Sequence, residues 1–219
     1  MRRARQLVQW ASLASAALAA PTTTAKKAAV APSKAAAYTA ALDAASYRPC
    51  VVLARPHDPG NIGAAARAML NFGLPEMRVV QPASATWRTD PEAAARSCGA
   101  IPIIEAATEY SALPDAVADV GLILATTARP RDSTLPVLTP REAAVRAVSA
   151  IKKGTRVGLL FGSEKNGLSA DEMLCASAIV TIPTAPLFSS LNLAQAILLV
   201  AYELQLAAEP SPGPAGPAA

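Results

Sequence analysis

Three stretches of this chain carry polar residues that an apolar core has no use for, and each follows an apolar run. The first is Asp58-Pro59-Gly60-Asn61-Ile62-Gly63-Ala64-Ala65-Ala66-Arg67. Gly60 permits a backbone turn, and Asn61 is a good helix N-cap. Ile62, Ala65, Ala66 and Met69 recur at i, i+3, i+4 and i+7, the stripe of a helix facing a core. Arg67 stands roughly 140° from Ile62 and is free to line a pocket; the plainer alternative is a solvated arginine on a glycine-rich helix start. The second stretch, Phe161-Gly162-Ser163-Glu164-Lys165-Asn166-Gly167-Leu168-Ser169, sets two glycines around a charged turn. Ser169 and Glu172 have capping-box spacing, which accounts for both of them and leaves Glu164 unexplained. The third, Ile182-Pro183-Thr184-Ala185-Pro186-Leu187-Phe188-Ser189-Ser190-Leu191-Asn192, leads into the last helix. Ser189 or Ser190 is expected to cap that helix, with Asn192 in its first turn near the positive dipole end.

The elements that must position these stretches alternate. Cys50–Ala54, Met77–Val80, Ile101–Ile104, Val120–Ala125, Val157–Phe161 and Ile179–Ile182 read as strands. Helices are expected over about Ile62–Phe72 (closed by Gly73), Leu113–Ala118, Pro140–Ile151 and Leu191–Leu206. This alternation predicts an α/β fold with a mostly parallel sheet covered by helices on both faces. In such sheets ligands sit at the carboxyl ends of strands, which is where all three polar stretches fall. The last helix is apolar nearly all round, so it is expected to be buried on most sides, within the fold or against a second subunit.

Composition narrows the chemistry. Hydrophobic residues make up 52% and aromatics only 4%, so the core must be built from Ala, Val, Leu and Ile. His57 is the only histidine, which excludes a histidine pair. Cys50, Cys98 and Cys175 form no CxxC, which argues against a disulfide framework and a cysteine-ligated zinc site. No GxGxxG follows the first strand, which disfavours a dinucleotide-binding dehydrogenase.

The formal charge of +4 is unevenly placed. Residues 1–48 hold Arg2, Arg3, Arg5, Lys26, Lys27, Lys34 and Arg48 against Asp43 alone, whereas residues 49–219 carry a net charge of −2. A nucleic acid would therefore have to be met through a local patch and not a global field. Residues 1–48, rich in Ala, Ser, Thr and Lys/Arg, read as an organelle transit peptide for a chloroplast or mitochondrion. The rivals are a secretory signal, given the mildly apolar Ala11–Ala20, and an Ala-rich tail with no address, which would leave the protein cytoplasmic. Residues 49–208 read as one folded domain, and the Pro/Gly-rich 209–219 as a disordered tail. No segment is long and apolar enough to span a membrane.

Taken together, the three stretches resemble the signature motifs of the SpoU/TrmH-like branch of the SPOUT RNA 2′-O-methyltransferases. The matching patterns are N-x-G-A-x-x-R at Asn61–Arg67, F-G-x-E-x-x-G-L at Phe161–Leu168, and I-P…S-L-N at Ile182–Asn192, followed by an apolar helix ending in Tyr202-Glu203. Thr126-Thr127-Ala128-Arg129-Pro130-Arg131, Leu135-Pro136 and Thr139-Pro140-Arg141-Glu142 narrow the resemblance to the TrmJ-type tRNA methyltransferases. It covers roughly Val51 to Leu206. Bacterial members of that type carry a further C-terminal helical extension, where this chain has a short Pro/Ala/Gly tail.

The resemblance implies a trefoil knot made by the segment from about Val157 to Leu206, with S-adenosylmethionine bound in it, and a homodimer with the active site at the subunit interface. Its substrate would be RNA, most simply the anticodon loop of tRNA. It implies that Arg67 is the base or polarising cation for the 2′-hydroxyl, helped by the RNA phosphate. Because an arginine is normally protonated, Arg67 is expected instead to orient the ribose phosphate and stabilise the developing oxyanion, with Asn61, Glu164, Ser190 and Asn192 positioning it, the ribose and the methionine end of the cofactor. Thr126, Thr127, Ala128, Gly162, Ile182, Ser189, Ser190 and Leu191 would wrap the cofactor. Arg55, Arg129, Arg131 and Lys165 are the candidates for phosphate contacts. No metal is called for. The competing expectations are a ribosomal RNA methyltransferase and a catalytically silent RNA-binding or cofactor-sensing protein.

Overall fold

The computed structural model describes residues 49–128 and 134–208. The expected leader, the expected tail, and Arg129 and Arg131 lie outside the described residues. Seven parallel strands form one sheet: β1 Cys50–Ala54, β2 Met77–Val80, β3 Thr108–Tyr110, β4 Leu122–Thr126, β5 Val137–Leu138, β6 Val157–Phe161 and β7 Ala178–Val180. Their order across the sheet is β3-β2-β1-β6-β4-β7-β5. The chain walks outward from β1 to the β3 edge and then crosses to β4. The space left between β1 and β4 is later filled by β6, which pairs on both sides (Val51 with Leu159, Leu124 with Leu159).

Burial on both faces explains why β1 and β6 read as continuous runs and not as alternating ones, whereas the buried Arg78 interrupts the run of β2. Alternate side chains feed two cores. Val51, Leu53, Val79, Leu124, Leu159 and Phe161 join the larger one, under α1 Pro59–Asn71, α2 Pro91–Ser97, α3 Ile101–Ala106, α5 Pro140–Lys152 and α7 Leu193–Ala208. Cys50, Val52, Ala54, Ile123 and Leu160 join the smaller one, under α4 Leu113–Ala116 and the segment around α6 Ala170–Met173. Burial pushes the Cys50 thiol up to about 11, so it acts as a small apolar side chain.

Several boundaries differ from the sequence reading. Helix α1 begins at Pro59, and its N-cap is Asp58, whose carboxylate accepts from the Gly60 N–H at 2.8 Å. Asn61 therefore lies inside the first turn; Pro59 at the first helical position fixes the start. Gly60 serves packing: a Cβ there would meet the Arg96 side chain. Gly63 does so more strictly, since its Cβ would lie 2.1 Å from the Ala93 carbonyl oxygen, and only glycine lets α2 approach so closely. Ile101–Ile104, expected as a strand, is the helix α3, with Pro102 in its first turn and Ile103 and Ile104 buried. A four-residue apolar run does not distinguish the two states. The third strand is instead the largely exposed Thr108–Tyr110.

Helix α7 begins at Leu193, and neither serine caps it. Asn192 does: its Oδ1 accepts from Ala194 N at 2.9 Å, and its N–H donates to Gln195 Oε1 at 3.3 Å. The helix buries one stripe, Leu193, Ile197, Val200, Ala201 and Leu204, against α1 and α5. Its opposite stripe, Leu198, Leu199, Tyr202 and Leu206, is exposed, so the chain by itself does not enclose the helix on most sides.

Candidate active site

The carboxyl ends of β4, β6 and β7 open onto one cavity of about 890 Å³, within the range of small-molecule sites. Thr126, Thr127 and Ala128 approach it from β4, Gly162 from β6, and Ile182 from β7. Ser189, Ser190 and Leu191 line it on the way to α7. All eight residues expected to wrap a cofactor therefore share one cavity.

One wall is the turn after β6. Ser163 and Gly167 form an antiparallel bridge, the Gly167 N–H donates to the Ser163 carbonyl at 2.7 Å, and Gly167 takes a left-handed φ of 65°. A Cβ on Gly162 would lie 2.3 Å from the Gly167 carbonyl carbon, so glycine is what lets this wall fold back on the strand end. Leu168, Met173, Leu174 and Ala176 give the cavity an apolar side, and of these the sequence reading named only Leu168. The capping box of Ser169 and Glu172, which starts α6 immediately after the turn, was the signal that could have found them.

Three residues expected to act in catalysis are joined. Glu164 lines the cavity, and its carboxylate accepts from His57 N at 2.8 Å, Asp58 N at 3.4 Å and Asn61 Nδ2 at 3.0 Å. A carboxylate there also suits the positive end of α1. Asn61 Oδ1 in turn accepts from Asn192 Nδ2 at 3.0 Å. This chain links the turn after β6, the start of α1 and the cap of α7, and the donations fix the orientation of both amides. The backbone donors at His57 and Asp58 were not anticipated.

The remaining candidates are placed differently. Ser190 lines the cavity and is exposed. Arg67 is exposed on α1, where its Nη1 donates to Cys98 Sγ at 3.2 Å, and it does not line the cavity of its own chain. Lys165 is exposed on the cavity wall. Arg55, expected to meet phosphate, is held in a fork by Glu172 (Nε to Oε1 2.7 Å, Nη2 to Oε2 2.8 Å) and also donates to the Gly167 carbonyl at 3.3 Å. Burial works against ionising Glu172. The Arg55 fork and the Ser169 N–H more than offset it, so the carboxyl sits below the usual range. Arg55 thus clasps the cavity wall to the end of β1, where its own backbone takes a φ of 50°.

A separate charged cluster lies outside the cavity. Buried Arg78 donates to Glu76, Asp119 and the Ala116 carbonyl, and Arg156 pairs with the same two carboxylates. The Arg78 guanidinium beside Asp119 holds that carboxyl at about 2. These groups satisfy one another and join the starts of β2 and β6. Among the described residues, no group of three or more His, Cys, Asp or Glu could hold a metal ion, and no helix is long and apolar enough to cross a membrane.

This fold and site have known relatives. The chain belongs to the SpoU rRNA Methylase family, whose model matches residues 48–202. It is 40% identical over 157 residues to the tRNA (cytidine/uridine/adenosine-2'-O-)-methyltransferase TrmJ of Pseudomonas aeruginosa, covering 72% of this chain and 60% of that protein. It is 39% identical, with the same coverage, to the tRNA (cytidine/uridine-2'-O-)-methyltransferase TrmJ of Yersinia pestis. The crystal structure of TrmJ from Z. mobilis ZM4 superposes with a TM-score of 0.66 at 43% identity, over 76% of this chain and 72% of that one. The chain spans about 60% of the length of the curated relatives it matches.

Proposed function

We propose that this protein transfers a methyl group from S-adenosylmethionine to a ribose 2′-hydroxyl of tRNA, in the anticodon loop. The observation that carries this reading is the Glu164–Asn61–Asn192 hydrogen-bond chain, which reaches through Glu164 into a cavity lined by Thr126–Ala128, Gly162, Ile182 and Ser189–Leu191. The family description names ribosomal RNA, whereas the relatives at about 40% identity are named for tRNA 2′-O-methylation, and this favours tRNA.

The cavity suits the cofactor. Its volume is adequate, its apolar side (Leu168, Met173, Ala176) fits an adenine ring, and the Ser189, Ser190, Thr126 and Thr127 hydroxyls fit a ribose and an amino-acid end. When bound, S-adenosylmethionine supplies an electrophilic methyl group. As the O–CH3 bond formed and the S–CH3 bond broke, the donor would leave as S-adenosylhomocysteine and the hydroxyl's proton would pass to a phosphate oxygen of the RNA. The protein's part is to hold the ribose hydroxyl in line, to stabilise the oxygen as that proton leaves, and to keep bulk water out. Asn61 and Asn192, locked by their mutual bond and by Glu164, orient the ribose. Arg67 is permanently protonated, so it is no base; its planar fork holds the ribose phosphate and the developing oxyanion.

Because Arg67 lies outside its own chain's cavity, it would act at a subunit interface. The exposed stripe of α7, with Leu187 and Phe188 also exposed, supports a symmetric homodimer. A trefoil knot over about Val157 to Leu206 is supported by the family likeness and by β6 lying between two earlier strands. Residues 1–48 would act as an organelle address, on their composition alone.

Titrating the full chain with S-adenosylmethionine by calorimetry is expected to give saturable binding, lost in Gly162→Val, where the wall cannot close. Binding of NAD in place of S-adenosylmethionine would contradict the proposal.

A further inference from the structure

Helix α5 carries more cations than any other helix among the described residues: Arg141, Arg146 and Lys152, with Lys153 directly after it. Its solvent side borders a groove of about 680 Å³, walled by Arg141, Val145, Arg146, Ser149 and Lys153 and closed by Gly121, Leu122 and Thr155. Two acids stand at the end of the groove where α5 begins, and Glu203 takes up Arg141 of its wall. Glu142 accepts from the Thr139 N–H and hydroxyl in the cap of α5, and Glu203 of α7 pairs with Arg141 at 3.1 Å. Arg146 and Lys153 are exposed and form no ion pair among the described residues.

The groove also has a direction. Helix α5 starts after β5, on the carboxyl-end side of the sheet where the cavity opens, and ends before β6, on the amino-end side. From Arg141 to Lys153 it spans about 18 Å at 1.5 Å per residue. Near the cavity, among the described residues, Arg55 is taken by Glu172, and Lys165 is the exposed cation on the wall. A long polyanion whose one nucleotide enters the cavity needs a grip elsewhere. With a net charge of −2 over residues 49–219, that grip has to be local.

We propose that the α5 groove, through Arg146 and Lys153, binds the phosphate backbone of the substrate RNA away from the reacting nucleotide. This rests on the RNA-methyltransferase reading. Cations spaced along a track, with the Ser149 hydroxyl between them, suit backbone contacts that position an RNA without reading its sequence. An acidic peptide would want apolar anchors as well, and Val145 is the one large apolar side chain exposed on α5.

The test is the salt dependence of binding an unmodified tRNA transcript, comparing the full chain with its Arg146→Gln/Lys153→Gln variant. The expected result is a plot of log affinity against log salt that is shallower by about two, and affinity about tenfold weaker near physiological salt. S-adenosylmethionine binding and the urea midpoint should be unchanged. Equal slopes and affinities in two proteins that both bind the transcript would overturn the groove assignment alone. An unchanged slope with loss of the dimer on sedimentation would overturn it in favour of a protein interface. If the parental protein binds no transcript at all, the groove assignment falls together with the function it rests on.

Discussion

Replacing Arg67 with alanine is expected to slow methyl transfer by about 10²–10³-fold, the loss typical of one preorganised donor to a developing oxyanion. The denaturation midpoint should stay at its parental value. Arg67 is exposed, while the neighbouring Ala65, Ala66, Ala68 and Met69 hold α1 to the core. Its side-chain partner among the described residues is the exposed Cys98 thiol, a weak acceptor whose loss costs little. S-adenosylmethionine affinity should also be unchanged, because Arg67 does not line the cavity. Arg67→Lys should recover only part of the rate, since a point charge cannot reproduce a planar two-donor fork. Asn192→Ala is expected to behave differently. It removes the α7 cap and the bond to Asn61 together, and should weaken both cofactor binding and rate. Single-turnover methylation separates the two patterns. A parental rate in Arg67→Ala would show that this arginine is only a surface charge.

Placing a charge on the outer stripe of α7 should convert a dimer to a monomer and abolish activity with it. Leu198, Leu199, Tyr202 and Leu206 are 39%, 38%, 47% and 42% exposed in the single chain, and they lie opposite the stripe that α7 buries against α1 and α5. A contiguous apolar stripe of this kind marks an interaction surface. Leu199→Arg would bury an unpaired cation in both halves of a symmetric interface, which is strongly unfavourable. Sedimentation at micromolar concentration should show dimer for the parental chain and monomer for the variant, with the urea midpoint of the monomer little changed. A monomer that still methylates RNA at the parental rate would contradict a shared active site.

The parts of this molecule that were legible in sequence are those whose signal is local. Strands β1 and β6 lie where their apolar runs stand, because burial on both faces demands such runs, and β2 was legible from Met77, Val79 and Val80 around Arg78. The α1 stripe of Ile62, Ala65, Ala66 and Met69 was readable from its period, and the eight cavity residues came only from the family resemblance of their motifs. Strand β3, Thr-Glu-Tyr at a sheet edge, has no apolar signature, and β5 is only two residues long. Asn61 and Asp58 are equally good capping types, and only Pro59 between them decides. The long-range pairings were not readable at all. Nothing near Arg55 announces Glu172, 117 residues away, so the clasp that this side chain forms was not readable. Nor does anything near Arg67 announce that it stands apart from Glu164 and Asn192, since that depends on how α1 leans against its neighbours.

The central claim is methyl transfer to a ribose hydroxyl, and the most direct measurement of it is incubation of the purified protein with S-adenosylmethionine and an unmodified tRNA transcript, followed by nuclease digestion and mass spectrometry. The expected product is a single nucleotide of the anticodon loop gaining one methyl group on its ribose, at a rate lost in Arg67→Ala. A methyl group on a base, or no methyl transfer by a dimer that binds both S-adenosylmethionine and the transcript, would contradict it.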